Sequence, residues 1–435
     1  MSKTEIKKSN KNLLIILVAI SVLDFGVMVA LGMESKIRYI PLILHMLTII
    51  FCKVDNILPA IFFIRPNFGL YDACGFKLLF NFTVTISAIK LLVFKKSIAN
   101  MDIRSLVLLV TVFLYNLSLT LINNMALYNL LTYITLFLSY IVLMQYIEEE
   151  VDFANIYEFY FVGMVMSFIS GLFIPYTKFG FNIPSGFRFA AMMRDSNGYS
   201  LELLFLIITA PIYGKIKNKN TMCMTIILIL FGLLGISKMF LMCLILVMVY
   251  RGITNVFFKK LVIKTNSIKI KDVLIVALII GIMIYMNSKL NLVGMFSDKY
   301  IDRFNSTDLT SGRNEILSYY IDLVFNDPIT LLFGRSLSYY QNIGFDGWAM
   351  AHNTWMELIL SYGILGSIIY FIFIISVVSP LFKNKIEFKK EFILISFMFV
   401  LCLNALPILS GDALAILILY VVLVSKAKSN IERKI

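Results

Sequence analysis

Apolar residues in this chain come in separate blocks with short polar or basic stretches between them. The blocks run from roughly 13 to 31, 39 to 51, 76 to 94, 104 to 122, 126 to 147, 156 to 174, 199 to 213, 221 to 236, 239 to 250, 272 to 287, 363 to 381, 391 to 407 and 411 to 425. Most are close to the length a helix needs to cross about 30 Å of hydrocarbon. A backbone in lipid must satisfy its own hydrogen bonds, so the blocks predict an all-α, polytopic bundle of transmembrane helices. One shorter block, 56 to 64, does not declare itself.

Composition supports that class. The 435 residues are 60% hydrophobic and 15% charged, with a mean hydropathy of +0.87, which excludes an ordinary soluble domain. The net charge of +13 would suit nucleic acid, but the cations lie between apolar blocks rather than on one soluble face, so no nucleic-acid partner is expected. Of the five cysteines, only Cys74 stands clear of an apolar block, and no disulfide or metal-ligand spacing appears. The basic start with its apolar run resembles a signal peptide, but the run is long and has no small-residue cleavage site, so it is read as an uncleaved first span.

Sidedness follows from the cations. They accumulate at the N-terminus, at Lys95, Lys96 and Arg104, at Lys215 to Lys219, at Arg251 to Lys271, at Lys383 to Lys390 and at Lys426 to Lys434. Placing all of these in the cytoplasm requires that the 56 to 64 block cross or dip in, which gives about 12–14 spans with both termini cytoplasmic. Residues 1–435 then form a single membrane-embedded domain with two loops outside, a shorter one at 175–198 and a large one at 288–352. Loops held on a rigid scaffold are common places for function.

In the large loop, Ser311 is placed to cap a helix with Arg313 in its first turn. Apolar Ile316, Leu317, Tyr320, Ile321, Val324 and Phe325 share one face, and Asp327-Pro328 ends the run. This predicts a helix lying at the membrane surface. Two readings stand for Arg313: a phosphate ligand beside free backbone N–H groups, or a headgroup anchor. Further on, His352 precedes a capping Asn353 where the loop re-enters the membrane, with Glu357 about one turn into the next helix. A neutral imidazole there can take a proton from a hydroxyl, with the carboxylate orienting it, or can serve structure alone. The other histidine, His45, lies within an apolar stretch and reads as packed. Arg188 and Arg194 flank the end of the shorter loop, again as ligands or anchors. These two arginines, with Lys238, Arg303, Arg313 and Arg335, fall outside against the positive-inside bias, and an anionic membrane-bound substrate would give a reason.

Four ordered pieces between about 150 and 410 carry a family likeness: Arg188 through Asp195-Ser196-Asn197, the Ile236-Ser237-Lys238 turn, Ser311-Gly312-Arg313, and His352-Asn353 with Glu357 and Tyr362-Gly363-Ile364-Leu365-Gly366. Together they resemble the O-antigen polymerase and ligase superfamily, including the Wzy-type repeat-unit polymerases. The family often has Pro where Ser196 stands and Arg where Lys238 stands.

The resemblance implies a GT-C-like glycosyltransferase in the bacterial cytoplasmic membrane. It would move a glycan from undecaprenyl diphosphate to an acceptor sugar hydroxyl on the outer face, in capsule, exopolysaccharide or similar cell-envelope synthesis. By resemblance Arg188 and Arg313 hold the donor diphosphate and His352 acts on the acceptor; Arg194 and Arg335 are read into the same electropositive cleft, and Glu357 is read as orienting His352. Asn197, Lys238 and Asn353 support them. No metal or nucleotide-sugar cofactor is implied, because the lipid diphosphate is already an activated leaving group. The implied partners are the lipid-linked oligosaccharide, membrane lipid, and flippase and chain-length regulator proteins. A ligase of the same superfamily and a lipid-linked-oligosaccharide flippase are the alternatives.

Overall fold

A computed structural model of the chain describes residues 3–32, 35–67, 79–95, 102–123, 130–147, 151–173, 189–193, 196–257, 313–336, 353–383, 386–404 and 413–428, with positions 281, 301 and 406. Apart from position 281, the predicted span at 272 to 287 lies outside these residues, as do Ser311 with its capping role, Arg188, Arg194 and His352. The described secondary structure is helical. The α-helices described in the first half are α1 (Lys3–Leu31), α2 (Tyr39–Phe51), α3 (Ile57–Ile64), α4 (Leu79–Lys95), α5 (Ile103–Ile122), α6 (Leu130–Ile147) and α7 (Phe153–Phe173). In the second half are α8 (Ser196–Lys217), α9 (Met222–Leu234), α10 (Lys238–Phe257), α11 (Arg313–Phe325), α12 (Pro328–Phe333), α13 (Thr354–Val378), α14 (Lys389–Leu403) and α15 (Ala413–Ser425).

Five of the described helices are long and apolar enough to cross a membrane on their own: Asn10–Leu31, Ile103–Ile122, Phe153–Leu172, Ser196–Lys217 and Thr354–Leu381. Their outer surfaces carry the signature of lipid contact. On α13 the exposed stripe is Ile364, Leu365, Ile368, Phe371, Ile372 and Ile375, where a soluble helix would present charge. Shorter apolar helices fill the spaces between the long ones. This set of helices is what a multi-pass membrane protein requires.

At the centre stands α8, with most of its residues buried. Pro211 within it has no N–H to offer the carbonyl four residues back, and the Arg251 guanidinium of α10 donates to that Ile207 carbonyl at 2.8 Å and to Ile208 at 3.1 Å. The ambiguous block is α3, eight residues that are all buried and pack along α7. At about 1.5 Å per residue such a helix covers only about 12 Å, too little to cross the hydrocarbon by itself. Close approach to α7 is possible because position 163 is glycine: a Cβ there would sit 2.3 Å from the Phe63 carbonyl oxygen.

Contacts between helix ends fix their relative direction. At one end Lys215 of α8 pairs with Glu387 just before α14 at 3.7 Å, and Lys426 after α15 donates to the Tyr146 carbonyl of α6 at 2.6 Å. At the other, the Trp355 indole of α13 donates to Asn404 after α14 at 3.1 Å. Ser105 and Ser376, 2.9 Å apart, tie the start of α5 to the far part of α13. The cations at Lys215, Lys389 and Lys426 therefore gather at one end of the bundle, and the starts of α8 and α13 lie at the other.

Candidate functional site

Two groups of the singled-out residues sit at that second end. The first is built on the start of α8. Ser237 donates through Oγ to Asn197 Oδ1 at 3.0 Å and accepts from the Phe240 amide at 3.3 Å, so it caps α10 while holding the first turn of α8. Ile236 takes a left-handed φ of 44° to make that turn, and Lys238 becomes the first residue of α10, half-buried. Sequence reasoning placed Asn197 and Lys238 in one site. The structure joins their two helix starts through Ser237, which was only part of the quoted motif.

The segment Phe189–Met193, between the positions of Arg188 and Arg194, is wholly buried. Its Phe189 amide donates to Leu234 at 3.2 Å, and the Met192 amide donates to Ser167 Oγ at 3.1 Å. The Ser167 hydroxyl in turn donates to the Pro66 carbonyl at 2.6 Å. Next to Pro66, the Arg65 guanidinium meets Glu202 Oε1 at 2.8 Å, and the Tyr160 hydroxyl donates to Glu202 Oε2 at 2.8 Å. Asn67 donates to the Phe63 and Gly163 carbonyls, both at 3.1 Å. A charged and hydrogen-bonded strut thus runs from α8 through the end of α3 to the backbone between the two arginines. Reading by loops missed Arg65, Glu202, Tyr160 and Ser167. The signal available was a carboxylate inside the 199 to 213 apolar block and an arginine closing the 56 to 64 block, since charges in such blocks face partners.

The second group surrounds a break in α13. Gly363 has φ 64° and ψ −174°, a region open in practice only to glycine, and it splits the helix into a short first part and a long second one. Carbonyls before a break need donors from elsewhere. The strap after α12 supplies them: the Arg335 amide donates to Leu360 at 2.8 Å and the Ser336 amide to Ser361 at 3.0 Å. The Tyr115 hydroxyl of α5 lies 2.7 Å from the Phe333 carbonyl and 3.1 Å from that of Tyr362. Gly334, with φ 76°, faces Gly363 so closely that a Cβ on either would come within 2.5 Å of the other's backbone nitrogen.

Asn353 caps the short part of α13 as its sequence position predicts, accepting from Trp355 at 3.0 Å and Met356 at 3.1 Å. Glu357 in the first turn is buried. Helix α11 starts at Arg313, so this half-buried cation does occupy the first turn. Only part of its predicted apolar face packs inward: Ile316, Tyr320 and Val324 meet Met356 and Leu360 of α13, whereas Ile321 and Phe325 stay exposed.

Helix α11 ends at Phe325, just before Asp327-Pro328, as the sequence predicts. The pair does more than end α11: Asp327 caps a second helix, α12, accepting from the Ile329 amide at 3.1 Å, and Pro328 sits in its first turn, where a missing N–H costs nothing. The same carboxylate receives Thr330 Oγ1 at 2.6 Å and the Arg335 guanidinium. Those bonds, with Arg335 the largest influence, hold the Asp327 carboxyl well below the usual carboxylate range. Arg335 further donates to Thr330 at 2.8 Å and to Asn123 of α5 at 3.4 Å, so every side-chain nitrogen of this arginine has a protein acceptor. His45, read as packed, is buried on α2.

No protein-family model matches the chain, and no curated protein matches it. The functional reading therefore rests on the geometry and on the residue pattern alone.

Proposed function

We propose that the protein is a glycosyltransferase that extends a lipid-linked oligosaccharide at the non-cytoplasmic face of the membrane. Its donor is a glycan on undecaprenyl diphosphate and its acceptor a sugar hydroxyl. The observation that carries the reading is that the α8 start, with Asn197 and Lys238, and the α13 start, with Asn353 and Glu357, share the end of the bundle opposite the cations at Lys215, Lys389 and Lys426. The positive-inside bias makes that shared end external. This is the side on which the two external loops, the large one at 288–352 and the shorter one at 175–198, would lie.

In this reading Arg188 and Arg313 stabilise the charge that grows on the diphosphate as the anomeric bond breaks, with Arg194 beside them. His352 accepts the acceptor proton while Glu357 orients it. Arg335, whose nitrogens already meet Asp327, Thr330 and Asn123, positions the strap rather than binding the donor.

The test is purified protein with a lipid-diphosphate repeat unit, read as a ladder of longer glycans. Arg188→Ala and Arg313→Ala should abolish the ladder, and the corresponding lysines should restore little, because lysine lacks the planar fork. His352→Ala should slow extension by about a hundred- to ten-thousand-fold with donor binding kept. A ladder that persists in both alanine variants overturns the donor site. The glycine break within α13 gives weight to a second reading, a flippase, because transporters build substrate sites at discontinuous helices. Movement of the lipid-linked unit across proteoliposomes without chain extension would favour it.

A further inference from the structure

At the basic end of the bundle, away from the proposed reaction, α13, α14 and α15 leave an apolar groove of about 410 Å³. Its wall includes Ile374 and Val378 of α13, Ile393 and Val400 of α14, and Ile418 of α15, and Ser396 is its single polar lining residue. That volume lies within the range of about 300–1,000 Å³ seen for sites that take one small ligand. A groove of this size beside lipid-facing helices opens onto acyl chains and not onto water, and its apolar wall suits a chain of that kind.

The helix register says what the occupant carries at its end. Ile393, Ser396 and Val400 lie on one stripe of α14, spaced three and four residues apart, and one turn further toward the basic end the same stripe begins with exposed Lys389. The nearest paired carboxylate meets a different lysine. Glu387 pairs with Lys215 at 3.7 Å, and half-buried Glu391 makes no ion pair with Lys389. Among the described residues no carboxylate pairs with Lys389. An apolar slot ending in an ammonium matches an acyl chain ending in a phosphate.

We propose that this groove binds one acyl chain of an anionic glycerophospholipid, with the headgroup phosphate against Lys389. The site is separate from the reaction end and holds whether or not the glycosyltransferase reading does. A single lysine near a membrane surface favours an anionic lipid by about fivefold, the equivalent of about 1 kcal/mol.

The experiment uses the full chain in nanodiscs containing phosphatidylglycerol or phosphatidylcholine with a diazirine in the acyl tail, and maps the labelled residues by mass spectrometry. Phosphatidylglycerol should label the 374–381, 392–400 and 418–422 stretches about fivefold more than phosphatidylcholine does. Lys389→Gln, a change on an exposed side chain, should remove that preference, and Lys390→Gln should leave it. Ser396→Phe, which fills the groove, should cut labelling by both lipids, with size-exclusion behaviour reporting whether it folds. Equal labelling by the two lipids in the parent overturns the anionic assignment. Labelling no stronger than on the exposed face of α1 overturns the site, and then a protein segment fills the groove.

Discussion

Two arginine–carboxylate pairs in this protein have similar chemistry and opposite settings. Arg65–Glu202 is sealed in the bundle, with side chains 7% and 1% exposed, and Arg335–Asp327 stands at the rim, at 33% and 31%. In the sealed pair each charge exists only because the other does. Removing one partner leaves an uncompensated ion in a medium that solvates it poorly. At the rim water can replace either partner, so the pair contributes little energy by itself. What holds the rim is the backbone: two amides of the strap on the carbonyls before the break, and two glycines in contact. Ion pairing is structural where lipid and protein exclude water, and ornamental to stability where they do not.

The sharpest way to break that contrast is Glu202→Ala, which strands Arg65 and should cost about 3–5 kcal/mol, read as a fall in the melting temperature of the detergent-solubilised protein. The double variant Arg65→Met with Glu202→Leu should recover most of the loss. If the single variant melts with the parent, the sealed pair is not a pin.

Next in size comes Gly363→Ala. The glycine-only backbone angles alone cost about 1–3 kcal/mol, and the contact with Gly334 adds to that. Hydrogen exchange should show the Arg335 and Ser336 amides released, while the α8 amides stay protected. Unchanged protection of the strap would mean that the glycine contact does not hold the rim.

Ser167→Ala removes the link between Pro66 and Met192 and should cost about 1–3 kcal/mol by leaving buried backbone groups unmet. Its distinguishing readout is faster exchange at Met192. Wild-type exchange there would separate the strut from the arginine-bearing segment.

The smallest effect belongs to Asp327→Asn, on the order of 1 kcal/mol or less. Its pH dependence has a defined sign. The folded carboxyl is depressed, so its stabilisation is complete above the ordinary aspartate pKa of about 4 and is lost only as pH falls through the lower folded value. Protection of the strap should therefore hold from neutral pH down to about 4 and weaken below, and in the Asn variant this acid step should vanish. A step near neutrality would contradict the pairing.

Much of the fold was legible in the chain because lipid imposes a length on apolar runs. The block read at 221 to 236 is the helix Met222–Leu234, and the one at 411 to 425 is Ala413–Ser425. The caps at Asn353 and the first turn at Arg313 were equally local, since an N-cap depends on neighbours two or three residues away. The apolar block at 363 to 381 covers only the part of α13 beyond the break, and the polar first turns ahead of it are legible from the Asn353 cap and not from hydropathy, because the apolar run begins at the break.

By itself the sequence determined which stretches are helices, where many of them begin, and which loops carry the cations, because each depends on local spacing and on the partition of side chains between water and lipid. Only the tertiary structure decided which charges are structural. Arg65 meets Glu202 across 137 residues and Arg335 reaches Asn123 across 212, and no local pattern encodes such a pairing, since it is fixed by how the helices pack and by the need of a charge removed from water to find a partner.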